Sequence, residues 1–136
     1  KSKNRSIALE LKNGKIITGR QTKLLSPASS LIINCIKYLT DIPDEINLIS
    51  PSVLKPILKL KKESLNSNNT LNINDVLIAL SICSATNPIV EKALKNLSKL
   101  NYCDAHATYI VENTELDVLR KLLINLTCEP VFYNEY

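Results

Sequence analysis

The sequence has 136 residues, of which 45% are hydrophobic and 22% charged, and its formal net charge is +4. This composition predicts one folded domain with an adequate core and excludes a disordered tail. The mildly basic charge argues against nucleic acid as a partner, and the presence of only two glycines excludes a glycine-rich phosphate-binding loop.

The ends of the sequence suggest how the chain is organised. It starts at Lys1 and contains no methionine, which suggests a fragment of a longer protein. We expect residues 1–5 to form a disordered basic start and residues 6–136 a single α/β domain, the C-terminal fragment of that protein. No apolar run approaches the ~18 residues of a membrane span and no signal-peptide pattern opens the chain, so a cytoplasmic protein without a membrane partner is expected.

A β-hairpin is predicted first. Ile7, Leu9 and Leu11 alternate with less apolar residues, and residues 16–18 form a second short apolar run. The Asn13-Gly14 pair between them predicts a two-residue turn with positive φ at both positions. Gly19 is expected to end the second strand.

Two Ser-Pro pairs predict helix starts. In Ser26-Pro27 and in Ser50-Pro51, the serine would cap the helix and the proline would take its first position. Pro56 is expected to delay or kink the second helix. Between the two helices, residues 46–49 predict a short third strand, and the lysines of the second helix predict a solvated face: Lys55, Lys59, Lys61 and Lys62.

The second half alternates helices with strands. Asn72 or Asn74 would cap a helix that is apolar on nearly all sides from residue 76 to 83, so we expect it to be central and buried. Asn87-Pro88 predicts the start of a fourth helix and Thr114 the cap of a fifth. Strands are predicted at 105–111 and at 126–128, the latter stopped by Pro130. The order predicts a mixed, mostly parallel five-stranded sheet with helices on both faces.

The cysteines and the single histidine argue against a metal centre. Cys35, Cys83, Cys103 and Cys128 are widely spaced, whereas zinc needs about four nitrogen or sulfur ligands. On a strand, His106 and Cys103 would point to opposite faces. We therefore expect no metal, no cofactor and no disulfide framework in this fragment.

His106 is nevertheless the one side chain that titrates near neutrality. Asp104 and Thr108 would share its strand face and complete a polar row with it. Such a row would suit acid–base chemistry, although a structural histidine is the simpler interpretation.

The serine-rich helix starts suggest a second hypothesis. Helix N-termini attract anions, so two starts facing each other would bind a phosphate or a carboxylate. The alternative is that these serines are ordinary caps and packing residues. The candidate anion-binding residues are Arg20, Ser26, Ser29, Ser30, Ser50, Ser52 and Lys55.

Several segments resemble an uncharacterised bacterial family, the C-terminal portion of domain of unknown function 1846. They are LKNGKIITGR at 11–20, ASS at 28–30, INLISP at 46–51, DVLIALS at 75–81, ATNP at 85–88, CDAH at 103–106 and NLTCEP at 125–130. The resemblance implies a three-layer α/β/α sandwich of the cytidine-deaminase-like type. By position, Ser52 and Lys55 stand where cysteine ligands of a deaminase zinc would be, so zinc-dependent deamination is not expected.

Full-length members of that family carry an upstream glycine-rich stretch that resembles a phosphate-binding loop and is absent here. Two functions remain open. The first is a non-catalytic module that packs against upstream domains of the same protein or self-associates as a homo-oligomer. The second is half of an enzyme site, which would bind an anionic or phosphorylated ligand in a cleft shared with an upstream nucleotide-binding domain.

Overall fold

The computed structural model describes residues 5–65 and 70–129. Most of the predicted basic start and the predicted strand stop at Pro130 lie outside the described residues. Within them, the elements are β1 (Ser6–Glu10), β2 (Ile16–Arg20), α1 (Pro27–Leu39), α2 (Pro51–Glu63), α3 (Ile73–Ser84), α4 (Pro88–Lys95) with a 3₁₀ turn (Asn96–Leu100), β3 (Asp104–Ala107), α5 (Asn113–Lys121) and β4 (Asn125–Cys128).

The sheet is mixed, as predicted, but it has four strands among the described residues. Its order is β2-β1-β3-β4, with β1 antiparallel to both neighbours and β3 parallel to β4. The expectation of a mostly parallel, five-stranded sheet is therefore wrong. Residues 46–49 form bends instead of a strand, and their apolar pattern serves to bury Leu48 among the helices.

The hairpin is confirmed, but its turn is not the two-residue turn that Asn13-Gly14 predicts. Leu11 and Lys15 pair through a 2.8 Å hydrogen bond, and the Gly14 N–H donates to the Leu11 carbonyl at 2.8 Å. Gly14 has a φ of 90°, whereas Asn13 is not among the residues with positive φ. The loop is thus a three-residue turn in which glycine alone takes the left-handed position.

Gly19 lies inside β2 and does not end the strand. A Cβ at this position would come 2.2 Å from the Leu31 backbone nitrogen. The missing side chain therefore lets α1 approach β2 directly, backbone to backbone.

The central helix is α1, not α3. One side of α1 packs on β1 and β2 and another contacts α3 and α4. Its buried residues belong to two apolar clusters: Leu31 and Ile32 face the sheet cluster, and Ile36 faces the helical cluster. The expectation that α3 is buried all round is wrong, because Ile78 and Ile82 are more than half exposed.

Most of the helix starts that local sequence signals predict are confirmed. Ser26 caps α1, Asn72 caps α3 in a capping box with Asp75, and Asn87 caps α4. Pro56 lies inside α2 without delaying its start at Pro51. The α5 prediction fails by two residues, since Glu112 takes the cap position and Thr114 lies in the first turn.

The two faces of the sheet differ sharply. The side chains of the inner face are buried under α1, and they belong to the same apolar cluster as Leu119 of α5. The opposite face, called the outer face below, is exposed at alternate positions of every strand. Its exposed residues are Glu10, Ile16, Thr18, Arg20, Asp104, His106, Asn125 and Thr127.

Alanine at either glycine position should destabilise the fold, but for different reasons. Gly14→Ala should lower the free energy of unfolding by about 1 kcal/mol, since only the left-handed backbone is strained and no atom lies within 4 Å of the added Cβ. Gly19→Ala should cost about 3 kcal/mol, because α1 must shift to admit the methyl group. Denaturant unfolding of both variants tests this, and equal costs would contradict the direct contact of α1 with β2.

Candidate functional site

Polar side chains gather in two places, one buried and one exposed. The buried place lies where α1, α3 and α5 begin. The exposed place lies on the outer face of the sheet, where β3 and β4 run side by side. The candidate residues from the sequence divide between these places, and some belong to neither.

Glu115 is the centre of the buried cluster. Its side chain lies in the first turn of α5 and the residue is only 4% exposed. The Ser26 hydroxyl donates to Glu115 Oε2 at 2.5 Å, and the Ile73 N–H donates to the same oxygen at 3.0 Å. A carboxylate of the chain itself therefore lies at the N-termini of α1 and α3, where backbone N–H groups favour an anion.

The serines next to Ser26 serve the fold in the same way. The Ser29 N–H donates to Ser26 Oγ at 3.2 Å, and the Ser29 hydroxyl donates to the Leu71 carbonyl at 3.0 Å. The Ser30 hydroxyl donates to the backbone carbonyl of Arg20 at 2.8 Å. These contacts match the cap-and-packing alternative for the first helix start.

The second helix start has different neighbours. Ser50 Oγ lies 3.1 Å from Ser52 Oγ and 3.9 Å from the Cys83 sulfur, next to the helical cluster. Ser52 and Lys55 are exposed on α2. The hydrogen bonds thus bring Ser26 and Ser29 together with Glu115, but they do not join them to Ser50, Ser52 or Lys55.

Two lysines are buried although their sequence patterns gave no sign of it. Lys61, predicted on a solvated face, bonds Asp75 and also donates to the Thr70 carbonyl at 2.9 Å. Lys37 donates to the Asp44 carbonyl at 2.8 Å, and burial lowers the pKa of its ammonium group. Both lysines tie loops to helices with their charged ends while their stems are buried.

A polar cavity of about 580 Å³ opens beside the buried cluster. Arg5, Lys61, Glu112 and Glu115 line it, so both signs of charge are present. The Arg5 guanidinium stacks 4.2 Å from the centre of the Tyr109 ring. Burial, reinforced by Glu115, raises the pKa of Tyr109 to about 12, so this phenol stays protonated at neutral pH.

His106 has partners on the neighbouring strand. Its Nδ1 lies 2.7 Å from the Thr127 hydroxyl, and its Nε2 lies 3.0 Å from Glu129 Oε1. His106 and Thr127 are level in the parallel pairing of β3 with β4. Sequence reasoning missed Thr127 and Glu129, because nothing in the local pattern reveals the register of two strands whose paired residues are 21 positions apart.

Asp104 and His106 lie on the same exposed face of β3, as the predicted polar row requires, but the hydrogen bonds of both side chains run to β4. The Asp104 carboxylate accepts from Asn125 Nδ2 at 3.3 Å. Thr108 follows the strand and accepts from the Ser6 N–H at 3.1 Å. The hydrogen bonds of His106 thus join it to β4 rather than to the two residues named from the sequence.

A cavity of about 630 Å³ is lined by His106 and Thr127 of this exposed cluster. Its other polar lining residues are Glu10, Asp104, Arg120 and Asn125, and apolar ones include Ala8, Ile16 and Leu116. A volume of this size with a few polar groups on apolar walls is typical of small-molecule sites.

Burial makes two of the four cysteines poor nucleophiles. All four are free thiols, and burial raises the pKa of Cys35 to about 12 and that of Cys103 in the same direction. Such thiols stay protonated and unreactive at neutral pH. Across residues 5–65 and 70–129, no group of three or more His, Cys, Asp or Glu side chains is arranged to hold a metal ion.

A comparison with protein families now adds to this geometry. A family model described as "Domain of unknown function DUF1846, C-terminal" matches residues 1–136. The chain belongs to this family. That membership confirms the resemblance found in the sequence, and the family description itself assigns no activity.

Relatives of known sequence are much longer than this chain. A "UPF0371 protein" of Clostridium tetani (strain Massachusetts / E88) is 45% identical over 130 residues, which is 95% of this chain and 26% of the relative. "UPF0371 proteins" of Clostridium botulinum strains Langeland and Eklund 17B are 45% and 47% identical with the same coverage. The chain therefore spans about a quarter of the length of these relatives. Among the described residues, no helix is long and apolar enough to cross a membrane.

The burial of the Glu115 carboxylate predicts how its removal affects stability. Glu115→Ala should lower the free energy of unfolding by about 2 kcal/mol or more, since the Ser26 hydroxyl and the Ile73 N–H lose their buried acceptor. Asp117→Ala, an exposed carboxylate of the same helix, should change it by no more than about 0.5 kcal/mol. Chemical denaturation of both variants measures the difference, and equal effects would contradict the structural role of Glu115.

Proposed function

We propose that this chain is a non-catalytic packing module, a single α/β domain at the C-terminal end of a longer polypeptide. The observation that carries the proposal is the exposed stripe of α3. Ile78 and Ile82 lie one turn apart on it and are 59% and 52% exposed. These two residues are called the isoleucine ridge below.

The composition of α3 supports the proposal that the isoleucine ridge is covered in the longer polypeptide. A helix that is apolar all round belongs in an interior, yet within the described residues only one side of α3 is buried. Its buried stripe, formed by Val76, Leu80 and Cys83, faces the helical cluster. The isoleucines on the other side remain in water, although each would release about 2 kcal/mol on full burial.

The occupant we propose is the rest of the same polypeptide. The chain accounts for 26% of the length of the relatives it matches, so the larger part of such a protein is available to cover the ridge. Interfaces between domains of one chain commonly bury moderate apolar patches of this kind. A second copy of the chain is the competing occupant, and the experiment below separates the two.

Finer features of the fold belong to the same proposal. The order β2-β1-β3-β4, with β1 antiparallel to both neighbours, supports a cytidine-deaminase-like topology. A three-layer sandwich would need a further helical layer over the outer face, which the rest of the polypeptide would supply. The free cysteines fit the reducing cytoplasm, and the proposal requires neither a cofactor nor nucleic acid.

Substituting aspartate for the isoleucines of the ridge tests the proposal. In the longer polypeptide, Ile78→Asp with Ile82→Asp should expose the domain boundary to limited proteolysis at least tenfold faster, because aspartate cannot be buried there without a partner. Ile110→Asp, at a similarly exposed position away from α3, should leave the cleavage rate unchanged.

The same variants in the domain alone identify the occupant. Sedimentation velocity of residues 1–136 should give a monomer. The two aspartate substitutions should hardly alter its melting temperature, because surface substitutions cost about 0.5 kcal/mol or less. A dimer that the two aspartates dissociate would assign the ridge to self-association instead. Unchanged proteolysis of the longer polypeptide would overturn the packing module.

A second candidate function is half of an enzyme site, and the contacts of His106 favour it. The imidazole is held by two polar side chains on a face that no helix of the described residues covers. A neighbouring domain placed over this face would form a shared cleft, which is where ligand sites commonly lie.

An anionic ligand at the serine-rich helix starts remains a hypothesis within this second candidate. If Arg20 contributes to such a site, 10 mM phosphate should stabilise the parent by about 1.4 kcal/mol for a Kd near 1 mM, relative to chloride at equal ionic strength. Arg20→Ala should lose that increment and keep any general salt effect. Thermal melts of both proteins with phosphate and with chloride measure it, and an equal response of both would exclude an Arg20 anion site.

A further inference from the structure

We propose that Thr127, His106 and Glu129 form a nucleophile, base and carboxylate array that takes the acyl group of a small ester. The inference rests on the second candidate function, the half-site on the outer face, and names its chemistry. It contradicts the non-catalytic part of the first proposal, whereas packing through the isoleucine ridge is independent of it.

The geometry of the three side chains carries the proposal. The imidazole lies between two oxygens, with the Thr127 hydroxyl 2.7 Å from Nδ1 and Glu129 Oε1 3.0 Å from Nε2. A carboxylate on Nε2 favours the tautomer with the proton on that nitrogen. Nδ1 is then the nearer acceptor for the threonine hydroxyl, at 2.7 Å, compared with 3.4 Å to the Ala105 carbonyl. A hydroxyl that donates to a base in this way is activated as a nucleophile.

The strands hold this arrangement in place. Thr127 and His106 are level in the parallel β3–β4 pair, so backbone hydrogen bonds fix the distance between their Cα atoms. The backbone N–H of Glu129 donates to the Ala107 carbonyl at 2.8 Å, which continues the pairing by one residue. All three side chains therefore project from one short stretch of paired backbone.

Each step of the reaction balances without a further reagent except water. Thr127 Oγ attacks the ester carbonyl carbon, and its proton passes to His106 Nδ1 as the carbonyl π electrons move to oxygen. The oxyanion then re-forms the carbonyl, the ester C–O bond breaks, and the leaving alkoxide takes the proton from Nδ1. A water molecule releases the acyl group from Thr127 by the same two steps.

The surroundings suit a small acyl ester. The 630 Å³ cavity places Ala8, Ile16 and Leu116 among its walls, which are apolar surfaces for an acyl chain. The N–H donors in its lining are Asn125, whose amide already donates to Asp104, and Arg120, and they lie among the carboxylates of Glu10 and Asp104. Arg120 is therefore the donor we assign to the developing oxyanion. The His106 and Glu129 side chains are 51% and 59% exposed, so water reaches the array for the release step.

An alkyl fluorophosphonate is the probe that tests the nucleophile. Attack by Thr127 would form an Oγ–P bond and break the P–F bond, with fluoride leaving and the proton going to His106. We expect peptide mass spectrometry of the longer polypeptide to find the adduct on Thr127. Thr127→Val should abolish it, and His106→Asn should slow it at least 100-fold.

A matched variant separates the array from general surface reactivity. Thr18→Val removes another exposed threonine of the outer face that does not line the cavity, so it should not change the labelling rate. Glu129 is a positioning residue and needs a separate readout. The ¹⁵N chemical shifts of the His106 ring should report the Nε2–H tautomer in the parent and a mixture in Glu129→Ala.

The outcomes keep the two proposals apart. Labelling of Thr127 at equal rates in residues 1–136 and in the longer polypeptide would support the array and contradict a shared cleft. Labelling only in the longer polypeptide would support both. No adduct on Thr127 in either protein, with melting temperatures unchanged, would overturn the array, and so would labelling that survives in His106→Asn. The ridge variants should label like the parent, so failure of the packing module leaves this test intact.

Discussion

The buried Glu115 carboxylate is the interaction on which the arrangement of helices depends. Burying a charge is costly unless it is paired or hydrogen-bonded, and here two donors and two helix N-termini surround one oxygen. Through Ser26 the carboxylate fixes the start of α1, and through the Ile73 N–H it fixes the start of α3. Since Glu115 itself belongs to α5, three helices that lie far apart in the sequence share one junction.

That junction also determines where the exposed cluster forms. Helix α5 connects β3 to β4 in a parallel crossover, so a fixed α5 delivers β4 beside β3 in one register. The register sets His106 opposite Thr127. A slip of one residue would turn Thr127 to the inner face and place Leu126 or Cys128 on the outer one. The polar contacts on the outer face thus depend on a buried contact on the other side of the sheet.

The sequence predicts those parts of the fold whose causes are local. Ser26-Pro27 and Asn87-Pro88 start helices because a cap and a fixed φ act within a few residues. Residues 46–49 fail as a strand because four alternating residues fit equally well a bend that buries Leu48. The burial of Lys61 and the pairing of His106 with Thr127 depend on neighbours more than ten residues away, so no local pattern contains them. The central position of α1 has the same origin, since it requires the contact at Gly19.

The same reasoning orders the two candidate functions. The isoleucine ridge is on the side of α3 opposite its buried stripe, whereas the His106 array is on the outer face of the sheet, beyond α1 and the inner face. A domain that covers only the ridge leaves the array open to a ligand, whereas a helical layer over the outer face would have to leave a cleft at His106. Packing and chemistry are thus separable on this chain: α3 supplies apolar surface for a neighbour, and the β3–β4 pair supplies a polar array whose precision comes from backbone pairing. A relative that kept the ridge and lost the array would retain the module without the chemistry.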